Sequence, residues 1–360
     1  MFVQIFLKLL HFWAPAPILH RAMNALLSIA PGAARAGPLV EDALRRVERR
    51  FTEQLDSGLA PVADLCRHVE RYRGKMLRPT LVALSGLASG WADERPLSEP
   101  HITVGAVVEM VHMATLVHDD VLDEAATRRG GDTVNRRVGN HSAVILGDYL
   151  IARAFHLCST LESQLTALRV GEVTSVVCEG ELLQNHHRGD FGVTEEQYFG
   201  IIERKTAALI AVACELGAVH SGADAVVARR FADFGHKIGT AFQIQDDLLD
   251  LTGAEAVVGK TVGRDLETGT LTLPVIHHLA NAGRDARERT LALLRDPAPI
   301  VGPRREAVAA TLQSTGSIAY SRGVAASLVA EAKALLASVA PSPARAALIA
   351  VADAVVARAF

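Results

Sequence analysis

The sequence predicts an all-α protein, a single large helical bundle. Three observations predict it. From about Val40 onward apolar residues return every three or four positions, the spacing of one helix face. Strand-like alternation is scarce. No shift in composition and no fixed-period repeat divides the body, so a solenoid is excluded. The chain has 360 residues, 49% of them apolar, which is ample for one buried core.

In chain order, residues 1–37 read as an N-terminal extension. Glu41 is the first acidic residue. Phe2, Ile5, Phe6, Leu9, Leu10 and Trp13 recur at helical spacing, and Ala14-Pro15-Ala16-Pro17 breaks the run. Two readings stand open: a helix lying on a membrane surface, or one packed on the body or a partner subunit. A secretory signal fits poorly, because Lys8 interrupts the apolar run and no basic residue precedes it. Residues 38–360 read as the all-α domain. Its helices are punctuated by Ser57-Gly58, Pro61, Gly90, Pro100, Gly130-Gly131, Gly189 to Gly192, Gly222, Gly253, Gly259, Pro274, Pro297, Pro299 and Pro303.

Charge and cysteine usage narrow the function. Lys plus Arg is 37 and Asp plus Glu is 40, a net charge of −3, which excludes a nucleic-acid binder held by a general basic surface. The four cysteines form no C-x-x-C pair, which excludes a disulfide framework and a cysteine-rich zinc module and fits a reducing, cytoplasmic location. No run of 18 apolar residues predicts a transmembrane helix.

The informative segment is Val107 to Gly130. An apolar helical run ends in Asp119, Asp120 and Asp123, with Gly130-Gly131 read as its stop. Asp119 and Asp123 lie four apart, on one helical face. Carboxylates in the last turns oppose the helix dipole, and beside Val117, Val121 and Leu122 they are costly unless a cation compensates them. The same design returns at Asp246, Asp247 and Asp250, ahead of Gly253. One D-D-x-x-D is a weak signal; two in one chain are a strong one. Carboxylates this sparse suit Mg²⁺, which takes one or two of them, keeps waters and fills its other positions with substrate phosphates. Two such helices facing each other would hold a metal-bound diphosphate and stabilise its departure from carbon.

A diphosphate site also needs fixed cations. Candidates are Lys75 and Arg78 in Gly74-Lys75-Met76-Leu77-Arg78-Pro79, Arg128 and Arg129 after the first cluster, Lys205, and Lys260 in the loop Gly259 to Asp265. Each alone reads as a surface charge, but together with the clusters they divide into two sets, suited to two diphosphates. The Gly-Lys loop lacks the spacing of a P-loop, so an NTPase is not supported. His112 shares a helix face with Asp119; alone it reads as a packed histidine.

These motifs resemble the trans-isoprenyl diphosphate synthase (polyprenyl synthetase) family. The carrying segments are GKMLRP, HDDVLDEAATRRG, TVNRRVGN with GDYLIARAF, ERKTAALIAVACELGA, and FQIQDDLLDLTG followed by GKTVGRDL and TLPVI. The resemblance spans residues 65 to 355, and the tail GSIAYSRGVAASLVAEAKALL is similar to long-chain members. It implies an isoprenoid-synthase bundle with a central substrate cavity and a homodimer. It implies three Mg²⁺ per site, two on Asp119 and Asp123 and a third on Asp246, with Asp120 and Asp250 completing the candidate metal set. Arg128, Lys205 and Lys260 would hold the allylic diphosphate. Lys75, Arg78, His112 and Arg129 match positions that bind isopentenyl diphosphate. Thr206 and Gln243 would border the allylic cation.

One position departs. Many members read G-K-x-T-L-P after the second cluster, where this chain has Thr270 in place of the lysine. That removes one diphosphate contact or moves it elsewhere. Product length is read from Val107, Val111 and Ala114, a stripe without an aromatic ring just before the first cluster. By resemblance it predicts a deep pocket and a product of about C30 to C50; as a bare pattern it is equally a helix-packing stripe. The alternatives are a short-chain (C15 or C20) synthase, a terpene cyclase and a regulatory subunit. Lys75, Arg78 and Arg129 argue against a cyclase, which needs no second diphosphate site, and two complete acid clusters argue against an inactive subunit.

Overall fold

The computed structural model describes residues 35–72, 74, 76–90, 96–253, 263–296 and 302–357. Most of the N-terminal extension, Lys75 and Lys260 lie outside this set, so the expectations placed on them stay expectations.

The described chain is helical apart from one small hairpin. The helices are α1 (Gly37–Leu55), α2 (Ala60–Val69), α3 (Leu77–Gly90), α4 (Glu99–Leu122), α5 (Val134–Val138), α6 (Asn140–Cys158), α7 (Leu165–His186), α8 (Glu195–Ile202), α9 (Ala208–Val219), α10 (Ala225–Thr252), α11 (Arg264–Glu267), α12 (Leu273–Asn281), α13 (Arg284–Arg295), α14 (Pro303–Ser314), α15 (Ser317–Leu335) and α16 (Pro343–Val356). Strands β1 (Thr127–Arg128) and β2 (Gly131–Asp132) pair antiparallel between α4 and α5. Local sequence sets the starts. Pro61, Pro100, Pro274 and Pro303 each sit in a first turn, where the missing N–H costs nothing. Asp224 caps α10 by accepting the Val227 N–H, and Thr194 with Gln197 forms a reciprocal capping box that starts α8.

The core lies between α4 and the helices around it. α4 packs on α1, α3, α6 and α9, while α10 packs on α9, α15 and α16. His101 to Val111 of α4 is buried without a break. A helix apolar all round belongs at the centre of a bundle. α4 is also the one described helix long and apolar enough to cross a membrane, but 78% of that window is buried inside the protein, so its apolarity serves the core.

One predicted boundary moves. Gly130-Gly131 was expected to stop α4, yet the helix ends at Leu122 with Asp123 as its C-cap. Glu124 adopts φ 48°, a left-handed turn that no helix continues through. Gly130 instead turns the hairpin.

Candidate active site

Helix α4 delivers the first acids. His112, Thr115 and Asp119, spaced three and four apart, share one face, and each is partly exposed. Val107, Val111 and Ala114 are fully buried. In this structure the stripe is helix packing and not an open pocket wall, since none of the three keeps any exposed surface.

Asp120 also departs from expectation. Successive residues on a helix are rotated by about 100°, so Asp120 cannot share the face of Asp119. It is 1% exposed, and its Oδ1 accepts a 2.8 Å bond from Arg128 Nε. Its backbone oxygen accepts from Ala125 N–H and Asn135 Nδ2. Through Oδ1 and its backbone oxygen this acid anchors the loop and hairpin, while its Oδ2 is buried without a hydrogen-bond partner.

The hairpin aims two arginines. Its two-residue turn is Arg129-Gly130, both with positive φ (50° and 74°), the type I′ geometry. Holding a non-glycine residue there costs of order 1 kcal/mol and marks a position fixed by its surroundings. The Arg129 guanidinium donates to the Tyr72 carbonyl, and Arg128 lies 5.8 Å over the Tyr72 ring. The Tyr72 hydroxyl accepts the Val134 N–H at 2.9 Å. The Arg129 guanidinium also lies close over Gly74, where a Cβ would stand 2.7 Å from its Nη2. Arg78, Arg128 and Arg129 converge electrostatically on His112: burial first, then these three cations, hold its pKa well below the ordinary value. His112 is therefore neutral at pH 7, a hydrogen-bonding group and not a charge. Burial also pushes Arg78 down to about 10 against the opposing pull of Glu109.

Between the clusters lies a turn that periodicity does not reveal. Glu203–Ala207 forms one π-helical turn between α8 and α9. Such turns carry one extra residue and recur at functional sites. Helices α7 and α10 close on it through glycines. A Cβ at Gly180 would lie 2.6 Å from Lys205 N, and one at Gly239 would lie 2.7 Å from the Ala207 Cα. Two adjacent residues on this turn point to different clusters. The Lys205 ammonium pairs with Glu181 and feels Asp119 and Asp123; burial opposes its charge, but these carboxylates outweigh burial and raise its pKa. The Thr206 hydroxyl donates to Gln243 Oε1 at 2.9 Å, on the helix of the second cluster. Asp119 responds with a pKa pushed up to about 6, by burial above all, with Lys205 opposing and Glu181 reinforcing.

On α10, Gln243 Nε2 donates to Asp247 Oδ1 at 2.7 Å, and the buried Tyr198 hydroxyl donates to Asp247 Oδ2 at 2.6 Å. Asp247 is pushed up to about 7, chiefly by burial. Asp250, 5% exposed, accepts the Asp265 N–H at 3.1 Å and, through its backbone oxygen, the Gly263 N–H at 2.8 Å. That candidate ligand is thus partly engaged in holding the following segment. Asp246 is the partly exposed acid of this cluster. Arg264, just beyond it, reaches back to the Asp123 carbonyl at 3.3 Å, and Arg188 reaches the Asp123 carboxylate at 3.1 Å. These contacts tie the segment that follows the second cluster, and the turn after α7, to the first cluster. Tyr72, Glu181, Arg188, Tyr198 and Arg264 escaped the sequence reading; only the conspicuous charge of Arg188 beside Gly189 could have drawn notice.

The donor set fits Mg²⁺. Its candidate ligands are all carboxylates, from two helices, and among the described residues no three His, Cys, Asp or Glu side chains converge to close a metal site. A hard cation that completes its shell with water and phosphate oxygens suits that arrangement.

Comparisons with known proteins agree with this geometry. The sequence model of the polyprenyl synthetase family matches residues 60–309. The octaprenyl diphosphate synthase of Escherichia coli K12 is 36% identical over 231 residues, covering 64% of this chain and 70% of that one. The nonaprenyl diphosphate synthase of Mycobacterium tuberculosis is 33% identical over 331 residues, covering 92% and 95%. A crystal structure of a polyprenyl synthase from Caulobacter crescentus CB15, complexed with calcium and isoprenyl diphosphate, superposes with a TM-score of 0.81 at 32% identity, covering 91% and 98%.

Proposed function

This chain belongs to the polyprenyl synthetase family, and from that premise we propose that it condenses isopentenyl diphosphate with an allylic prenyl diphosphate to make a long-chain all-trans polyprenyl diphosphate. The observation that carries the proposal is the π turn at Lys205-Thr206, whose neighbouring side chains serve the two acid clusters at once.

Asp119, Asp123 and Asp246 would hold Mg²⁺, three ions per site. When bound, the metal offsets the charge that develops on a departing diphosphate. The chain's own groups do the rest. Lys205 and Arg128 grip the allylic diphosphate, while Arg78, neutral His112 and Arg129 grip the second, with Lys75 and Lys260 expected to join them. The allylic C–O bond breaks. Thr206 and the Gln243 carboxamide present oxygen dipoles to the cation, and the double bond of isopentenyl diphosphate attacks it. The released diphosphate takes the proton. Positioning and preorganised charge carry the acceleration, and the packed walls keep out water that would quench the cation.

Long product length is supported by the octaprenyl and nonaprenyl relatives, no longer by the 107/111/114 stripe. Exposed Val144 and Ile145 on α6 with Leu168 and Leu182 on α7 support a homodimer, to be read by sedimentation. A cytoplasmic location, with the extension at a membrane surface, is tested by fractionation and vesicle co-sedimentation of the full chain. For the activity, the test is product chromatography after incubation with labelled isopentenyl diphosphate, an allylic primer and Mg²⁺. Chains longer than C20 are expected; products that stop at C20, or hydrocarbon release, would overturn the reading.

A further inference from the structure

Arg188 sits just past the end of α7, in the turn that leads to Gly192. Its backbone is pinned across the site. The N–H of Gly189 donates to the Gly269 carbonyl at 2.9 Å. Gly269 has φ +74°, and a Cβ there would lie 3.2 Å from Gly189 N and 3.8 Å from the Arg188 Cγ, so the side chain runs alongside the 269–270 segment. From there its Nη2 reaches Asp123 Oδ1 at 3.1 Å, and 31% of the side chain is exposed. The Nε–H is buried without an acceptor. A guanidinium carries five N–H donors in a planar fork, and a single bond to one carboxylate oxygen leaves that fork largely unused.

We propose that Arg188 is a diphosphate-binding residue, the cation that clamps the allylic diphosphate where Thr270 carries no charge. This rests on the synthase reading above. Phosphate oxygens match the fork bidentately, as one oxygen of Asp123 does not. In this structure Asp123 and Arg188 neutralise each other. Asp123 would hold a metal and Arg188 would take phosphate oxygens, so neither group would be left unpaired when a diphosphate binds. Position 270 itself offers no charge, because it is threonine and its backbone N–H is spent on the Asp265 carbonyl at 2.8 Å, and Arg264 lies at the backbone of Asp123, 3.3 Å from its carbonyl, rather than on its carboxylate.

The test compares wild type, Arg188→Gln, Arg188→Lys and Arg188→Gln with Thr270→Lys. Three readouts are taken: calorimetric binding of inorganic diphosphate with Mg²⁺, KM for each substrate, and the thermal midpoint. The glutamine variant is expected to bind diphosphate at least about tenfold more weakly and to raise KM for the allylic primer as much. KM for isopentenyl diphosphate should change less than twofold. Arg188→Lys and the double variant should each recover part of the binding. Unchanged diphosphate binding, KM values that rise equally for both substrates, or no recovery in the double variant would reduce Arg188 to a structural ion pair. A wild type that binds diphosphate with Mg²⁺ yet elongates no primer would refute the synthase reading, and the binding arm would still judge Arg188.

Discussion

Two adjacent acids of the first cluster should respond in opposite ways to the same substitution. Asp120 is 1% exposed and bonded to Arg128 at 2.8 Å, whereas Asp119 is partly exposed and faces Lys205. Removing one partner of a buried pair costs about 3–5 kcal/mol, because the other charge is left stranded. The Arg128 side chain keeps 26% of its exposure, so water takes back part of that cost. Burial also raises the Asp120 pKa more than Arg128 and Tyr72 lower it, which offsets a further part. We therefore expect about 1–2 kcal/mol for Asp120→Asn, roughly 2 °C in Tm for a chain of this size. Asp119→Asn should act differently. Burial raises its pKa to about 6, so at pH 7.5 the folded chain holds a carboxylate it would prefer protonated. Neutralising it should leave Tm unchanged or slightly higher, while prenyl transfer is abolished. Thermal melts and product assays on both variants decide the matter. If Asp120→Asn melts with the wild type, or Asp119→Asn loses as much stability, the division of labour within the cluster is wrong.

Other outcomes follow from the same contacts. Tyr198→Phe removes the 2.6 Å bond to Asp247, which with Gln243 and Thr206 fixes the carboxamide at the site; kcat should fall about tenfold with KM nearly constant, as loss of one bond to a charged group implies, and steady-state kinetics check it. Because Asp119 must be ionised to take a metal and its pKa is raised to about 6, the Mg²⁺ concentration for half-maximal activity should climb as pH falls below 6, and stay flat between pH 7 and 8. A titration of activity against Mg²⁺ at each pH reads this directly. Gly180→Ala places a methyl 2.6 Å from Lys205 N, a backbone atom that cannot swing aside, so it should cost about 1–3 kcal/mol in a denaturant melt and depress activity with it.

The parts legible in the sequence were local. Helical periodicity gave the fold class, and D-D-x-x-D spacing gave the acidic helix ends, because both depend on neighbours within a turn or two. Helix geometry alone separates Asp120 from Asp119, because adjacent residues are rotated by about 100°. The rest depends on distant partners. Tyr72 earns its place from Val134 and the hairpin arginines, and Tyr198 from Asp247, contacts that no local pattern announces. The π turn is approached closely by Gly180 and Gly239, on other helices, a contact set by distant residues. The stripe at Val107, Val111 and Ala114 has the same spacing whether it lines a pocket or packs, and only the surrounding helices decided for packing.

The central claim is that acids from α4 and α10 grip one diphosphate through metal from opposite sides. Crystals soaked with Mn²⁺ and inorganic diphosphate, measured for anomalous scattering, test it most directly. The account predicts metal peaks beside Asp119 and Asp123 and another beside Asp246, with the diphosphate between them. Peaks confined to one cluster, or a diphosphate bound away from both, would contradict it.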